Sequence, residues 1–210
     1  MARPDSLLAD FATLFGRLRD HPDKNLILDL TKFCEKNIAI VAPELSDMII
    51  ARIIDPAIPS NWVLPIFYLM DSIMKNVGGS YPVLFSRHLG AVFERSFDQL
   101  SPKDKSKLDF LLGTWEERRM LPPDLLVYMR QLVETKKQQA VFGGNNFMNI
   151  IQAGPTVPRG SSDMTGTMSM MAATAAPMTV MLPPVGDHRI LEAVSTRYTY
   201  LYCIVLRTIG

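Results

Sequence analysis

Four polar side chains recur at helical spacing in the middle of the chain, namely Tyr68, Asp71, Ser72 and Lys75, and Asn76 follows directly. Residues three and four positions apart lie on the same side of an α-helix, so this spacing predicts one polar strip. The strip would offer an aromatic wall, a carboxylate, a hydroxyl, an ammonium group and an amide. Those groups suit a ligand that carries both hydroxyl donors and negative charge. A solvated helix face with local ion pairs is the alternative interpretation.

Residues with catalytic or metal-binding patterns are missing elsewhere. The sequence has no Gly-rich phosphate loop, no GxSxG turn and no HExxH helix. His21, His88 and His188 stand alone, and a lone helical histidine is usually a satisfied surface group. Cys34 and Cys203 lie far apart, without the spacing of a zinc site or a disulfide framework. We therefore expect a binding module and not an enzyme, with no cofactor and no metal.

The strip must be held by a helix, and helical patterns fill the first two thirds of the chain. From residue 5 to about 139, apolar residues recur every three or four positions in seven successive stripes. The strongest stripe, Val63 to Val77, carries the polar strip on its other side. Ser101-Pro102 is typical of a helix start, Gly78-Gly79 of a helix end, and Pro43 falls between two stripes. The pattern predicts an all-α stack of about seven helices joined by short links.

The overall charge is nearly balanced, with 22 Lys and Arg residues against 21 Asp and Glu. A protein that holds nucleic acid by bulk charge is usually more basic, so any anion recognition must be local. No apolar run of about eighteen residues is present, and the first residues lack the apolar core of a signal peptide. We expect neither a membrane span nor a membrane partner.

The composition changes after Gln139. Residues 152–187 are rich in Gly, Pro, Ser, Thr, Ala and Met and carry almost no charge. Such a segment buries too little apolar surface to offset its ordering entropy, which predicts disorder. Residues 197–210 are Tyr-rich and β-branched and could form a single strand. We therefore expect a folded domain at 1–140 and a mostly disordered, low-complexity tail at 141–210.

Several segments resemble the CTD-interaction domain family, most of all the version in the termination subunit of the pre-mRNA cleavage and polyadenylation machinery. The most specific match is Leu64 to Gly78, with its Asp-Ser-Ile-Met-Lys-Asn-Val-Gly stretch. Leu30 to Ile38, Tyr81 to Leu89 and Leu111 to Trp115 are similar to neighbouring family helices. The resemblance covers roughly residues 5–138.

The resemblance implies a right-handed superhelix of about seven or eight helices, similar to ENTH and VHS domains. It also implies a partner and a setting. The family binds phosphorylated Tyr-Ser-Pro-Thr-Ser-Pro-Ser heptads of the largest RNA polymerase II subunit, and its termination-subunit members act in nuclear 3′-end processing. There they work beside other cleavage and polyadenylation factors and in transcription termination.

The resemblance also implies roles for particular residues. Asp71 would accept a hydrogen bond from the heptad tyrosine. Independently of the resemblance, helical spacing puts Asp71 on a side turned away from the core, and alanine has the better helix propensity, so we expect the fold to tolerate alanine there. The apolar pocket would be shaped or supported by Tyr68, Ile73 and Leu111. The peptide backbone would meet Ser72 and Asn76. The rim near the phosphoserine would carry Lys24, Asn25 and Lys75.

One departure from the family and two other functions remain open. Members that grip the phosphoserine directly use an Arg where this chain has Phe110, so strong phosphate discrimination is not expected. A vesicle adaptor of the VHS or ENTH class is one alternative, although the first helix shows no basic cluster. Weak RNA binding is another, through a basic set without interleaved aromatic residues. That set comprises Lys103, Lys105, Lys107, Arg118, Arg119, Lys136 and Lys137.

Overall fold

Helices make up the folded part of the chain, as the apolar periodicity predicts. The computed structural model of the protein describes residues 3–143, and within this range no strand is present. The described residues through Thr135 form one compact unit. The helices are α1 (Pro4–Phe15), α2 (Lys24–Ile54), α3 (Val63–Asn76), α4 (Tyr81–Gln99), α5 (Pro102–Glu117) and α6 (Pro123–Gly143), with a short 3₁₀ turn at Ser60–Trp62. The all-α prediction is confirmed.

Helix α2 differs from the prediction of two separate helices. The second and third apolar stripes belong to one helix of 31 residues, with a kink where Val41 leaves helical geometry (φ −136°, ψ 20°). Pro43 lies inside this helix, so the expectation that it marks a link between helices is wrong. Because the kink starts a new helical segment, Pro43 occupies its first turn, where proline removes no intrahelical hydrogen bond. Because two of the seven apolar stripes share this helix, the described residues contain six α-helices.

Buried Arg52 joins the end of α1 to the middle of the fold. Its guanidinium donates to the carbonyl oxygens of Phe15 (2.8 Å) and Leu18 (2.9 Å), and it lies 4.5 Å from the centroid of the Phe15 ring. These carbonyls belong to the last turn of α1 and to the loop after it, and the Phe15 carbonyl also accepts from the Leu18 amide (3.0 Å). The positive charge also stabilises the negative end of the helix dipole. Arg52 therefore holds α1 and the loop at 16–23 against α2.

The predicted helix ends are confirmed where α3 meets α4 and where α5 starts. Gly78 and Gly79 have positive φ angles of 63° and 57°, and the Gly78 amide donates to the Ile73 carbonyl (3.0 Å). The Ser101 hydroxyl accepts from the Asp104 amide (3.2 Å), which is the expected N-cap of α5. Both ends use the residue types that the sequence offers for these conformations.

Aromatic packing places α3 in the core between α4 and α5. The Phe67 ring meets the Phe93 ring edge to face at 6.2 Å and the Trp115 ring at 6.5 Å. All three side chains are fully buried. Rings at these separations stabilise the core beyond the burial of their area. The polar strip on α3 thus sits on a helix whose other side is fixed by large rings.

Two glycine substitutions, one at a helix end and one inside a helix, test the geometry of the α3 end. We expect Gly79→Ala to lower the free energy of unfolding by about 1–2 kcal/mol, because an L-residue is strained at positive φ. A Cβ there would also lie 2.7 Å from the Ile38 Cδ1. The matched control is Gly113→Ala inside α5, where the nearest atom would be 3.9 Å away. It should raise stability by up to about 1 kcal/mol. Thermal unfolding of both variants checks the opposite signs, and a change in the same direction would contradict this assignment.

The expectations for the C-terminal segment fall outside the described residues. They concern disorder at 152–187, a strand at 197–210 and the position of Cys203. The boundary at 140/141 also remains a prediction.

Candidate functional site

A groove runs between the first part of α2 and α3. It encloses about 340 Å³, and its walls are mostly apolar. The polar side chains of α3 that reach it are spaced four residues apart and form one row. The lining residues are Pro22, Lys24, Ile27, Leu28, Tyr68, Ser72 and Asn76.

The structure thus gathers four of the predicted site residues in one groove: Lys24, Tyr68, Ser72 and Asn76. The opposite wall, made by Pro22, Ile27 and Leu28, was missed by sequence reasoning. A signal for it was present, because Leu28 lies out of phase with the buried stripe that contains Leu26 and Leu30. Leu28 is 44% exposed, so its apolar side chain is accessible from the groove.

Hydroxyl and amide groups are linked across the floor of the groove. The Thr31 hydroxyl donates to the Ile27 carbonyl (2.7 Å) and lies 2.8 Å from the Ser72 Oγ. The Asn76 Nδ2 in turn donates to the Ser72 Oγ (3.1 Å). Ser72 is therefore tied to both α2 and the next turn of its own helix.

Asp71 occupies a different place from the one expected. It is only 9% exposed, and its Oδ1 accepts from the buried Trp115 Nε1 (2.9 Å). Its Oδ2 accepts from the Lys75 Nζ (2.7 Å). The expectation that Asp71 faces away from the core is wrong, because this carboxylate bridges α3 and α5. It does not line the groove, and tolerance of alanine at this position no longer follows.

Four other predicted residues also lie outside the groove lining. Ile73 (0% exposed) and Leu111 (4% exposed) are core residues, so they can support the site from behind but cannot shape its surface. Lys75 is paired with Asp71. Asn25 is exposed in the first turn of α2, where its backbone amide donates to the Asp23 side chain (2.9 Å).

Cations around the groove differ in their pairing. Lys24 lines the groove, and within the range 3–140 it makes no ion pair. Lys107 on α5 is bound to Asp104 (2.8 Å). The hydrogen bond from Lys107 lowers the pKa of the Asp104 carboxyl. Lys24 is therefore the lining cation that is available to an anionic ligand.

Within the described residues, burial shifts Cys34 and His88 toward their neutral forms, and no metal-binding cluster is present. No three His, Cys, Asp or Glu side chains among the described residues gather in a way that could hold a metal ion. Cys34 is buried, and this burial raises the pKa of its thiol to about 12, so it stays protonated. Burial also lowers the pKa of His88, which keeps its ring neutral at pH 7.

None of the described helices combines the length and the apolar character that a membrane crossing requires.

Comparison with known proteins gives a family match. The family model of the CID domain matches residues 9–128, which is more than half of the chain. An uncharacterized protein of Schizosaccharomyces pombe is 42% identical over 66 residues, or 31% of this chain and 10% of its own length. Protein PCF11 of Saccharomyces cerevisiae is 32% identical over 109 residues, or 52% of this chain and 17% of its own length. The chain therefore spans only a small part of these relatives.

A solved structure supports the same assignment. The crystal structure of the RPR of Pcf11 superimposes with a TM-score of 0.57 at 27% identity. The match covers 61% of this chain and 98% of that one. Helix content, helix order and family match all lead to one conclusion: this chain belongs to the CID domain family.

Proposed function

We propose that this chain binds phosphorylated heptad repeats of the RNA polymerase II C-terminal domain in the groove between α2 and α3. The observation that carries the proposal is the lining itself, which combines apolar walls with Tyr68, an amide, a hydroxyl and one unpaired lysine. A heptad supplies complementary groups, namely tyrosine and proline rings, backbone amides and a phosphate. Such grooves recognise extended or turning peptides through side-chain pockets and backbone hydrogen bonds.

Each part of the groove has a role in this proposal. The rings of the peptide pack between Leu28 and Tyr68, where both walls are apolar. Its backbone pairs with Ser72 and Asn76, and Lys24 lies where a phosphate can be neutralised. Proline in the ligand limits the conformations of the free peptide and so lowers the entropy lost on binding.

The biological setting is part of the same proposal. Similarity to PCF11 and membership of the CID domain family favour a nuclear role in pre-mRNA 3′-end processing and transcription termination. The chain would act there as a non-enzymatic binding module beside other cleavage and polyadenylation factors.

Phosphate selectivity should be modest. Phe110 is 78% exposed and occupies the position where family members that grip the phosphoserine carry Arg. We expect phosphorylation of the second-position serine to strengthen wild-type binding by less than about tenfold. Phe110→Arg should raise that gain about threefold, since exposed ion pairs contribute about 0.2–1 kcal/mol. Phe110→Gln is the control, because it removes the ring without adding charge.

Titration of the full chain with a two-repeat heptad peptide, with and without phosphate, tests these statements. Absence of binding to both peptides would contradict the proposed function. A hundredfold preference of the wild type for the phosphopeptide would show that its cations, with Lys24 first among them, discriminate strongly without the Arg. Lys24→Ala would then abolish the preference.

The two other functions receive less support from the structure. Helix α1 contains no Lys or Arg, whereas a membrane adaptor often inserts a basic amphipathic first helix. Two members of the basic set on α5 already make contacts within the fold. Lys107 pairs with Asp104, and Lys105 lies 5.5 Å from the Phe97 ring centroid. Binding to anionic liposomes without binding to the phosphoheptad would favour the adaptor function.

A further inference from the structure

The hydrogen-bonded chain from α2 to Asn76 has a fixed direction. The Thr31 hydroxyl has a single proton, and its 2.7 Å contact with the Ile27 carbonyl requires that proton. In the 2.8 Å contact between Thr31 and Ser72 the proton must therefore come from Ser72. Ser72 can then only accept from the side chain of Asn76.

This direction determines the orientation of the Asn76 amide. An asparagine amide can usually be turned by 180° without a visible difference, and its orientation follows from its partners. If the Asn76 oxygen faced Ser72, two acceptors would meet without a proton, because the Ser72 proton is already given to Thr31. The Nδ2 group must face Ser72. One Nδ2 proton and the Oδ1 are left for the groove.

We propose that Thr31 is a positioning residue that fixes, through Ser72, which groups of the Asn76 amide face the groove. The proposal rests on the groove being the peptide site described above. Thr31 does not line the groove and is only 3% exposed. The groups it presents, one donor beside one acceptor, complement a peptide residue with a free N–H and a free C=O. The ligand residue opposite Asn76 is therefore not proline.

Thr31→Val tests the proposal because valine matches threonine in shape but cannot accept the Ser72 proton. The Ser72 hydroxyl then turns elsewhere, and both orientations of the Asn76 amide become accessible. We expect heptad affinity to fall about fivefold, the size of one ordinary hydrogen bond, while the fold is kept. Thr31→Ser loses the buried methyl group but keeps the hydroxyl. It should melt earlier and yet bind within about twofold of the wild type.

Thr13→Val is the matched control for losing a helical hydroxyl. Thr13 also donates to the carbonyl four residues before it, at 3.0 Å from Ala9, but its side chain is exposed and does not line the groove. The affinity of the Thr13→Val variant for the heptad should be unchanged. Ser72→Ala breaks the same chain at its centre and serves as a second variant if Thr31→Val does not fold.

The decisive measurement is made first on the free protein. In the nuclear magnetic resonance spectrum, the two Nδ2 protons of Asn76 should differ between wild type and Thr31→Val, and should agree between wild type and Thr31→Ser. Peptide titration follows on the same samples. Unchanged Asn76 resonances in Thr31→Val and Ser72→Ala, or unchanged affinity in Thr31→Val, would overturn the proposal. If the wild type bound no heptad, the proposed function would fail, whereas the resonances would still test the positioning.

Discussion

Asp71→Ala should reduce both the stability of the protein and its affinity for the heptad. Alanine leaves the buried Trp115 N–H without an acceptor and Lys75 without its carboxylate. A buried unsatisfied donor costs about 1–3 kcal/mol, and the better helix propensity of alanine returns at most about 0.7 kcal/mol. We expect a net loss of about 1–2 kcal/mol in the free energy of unfolding. This corresponds to a fall of about 4–8 °C in the melting temperature.

The loss of affinity at Asp71 has two possible origins, which a second substitution separates. Asp71→Asn keeps an oxygen that can accept from Trp115 but removes the negative charge and the strong acceptor. The resemblance implies that this carboxylate also accepts from the heptad tyrosine, so we expect this variant to remain folded and to bind the heptad about tenfold more weakly, or about 1.4 kcal/mol. Melting temperature and peptide affinity are measured on the same samples. An Asp71→Asn protein that binds normally would limit Asp71 to a structural role.

Arg52→Met should be among the most destabilising single substitutions, with a loss of about 3 kcal/mol. Methionine keeps much of the length of the side chain but donates to neither the Phe15 nor the Leu18 carbonyl. Hydrogen bonds from charged groups contribute about 1.5–3 kcal/mol each, and both bonds here are buried. The interaction of the cation with the Phe15 ring is lost as well.

Arg17→Met provides the control for Arg52. Arg17 lies two residues beyond the end of α1 but is exposed, so its loss should change stability by less than about 0.5 kcal/mol. Thermal and denaturant unfolding of both variants check the difference. Equal melting temperatures for Arg52→Met and the wild type would show that the loop carbonyls find other donors.

The helices could be predicted from the sequence because independent signals indicate the same helix bounds. Apolar periodicity, the N-cap Ser101 and the Gly78-Gly79 pair all indicate the same helix ends. The kink of α2 was missed because Pro43 is compatible with either a helix start or a link. Only packing of the two halves against the core decides between them.

The polar strip was predicted as one face, but the structure divides it. At about 100° per residue, the five positions spread over an arc of about 140° on the helix surface. Tyr68, Ser72 and Asn76 therefore meet α2 and the groove, whereas Asp71 turns toward α5 and Trp115. Spacing shows which side chains are neighbours on one helix. It does not show which helices pack on either side of them, and this decided the role of Asp71.

The contacts of Arg52 also bear on how fast a ligand is captured. The carbonyl of Leu18 that it holds belongs to the loop at 16–23, and Pro22 of this loop forms part of one wall of the groove. This wall is held in place before any peptide arrives, so binding does not require the loop to become ordered. Preorganised sites dock their partners with little rearrangement, and affinity differences among their variants then arise mainly in dissociation. Loosening the contacts of Arg52, which does not line the groove, would turn rapid docking into a slower, two-step encounter.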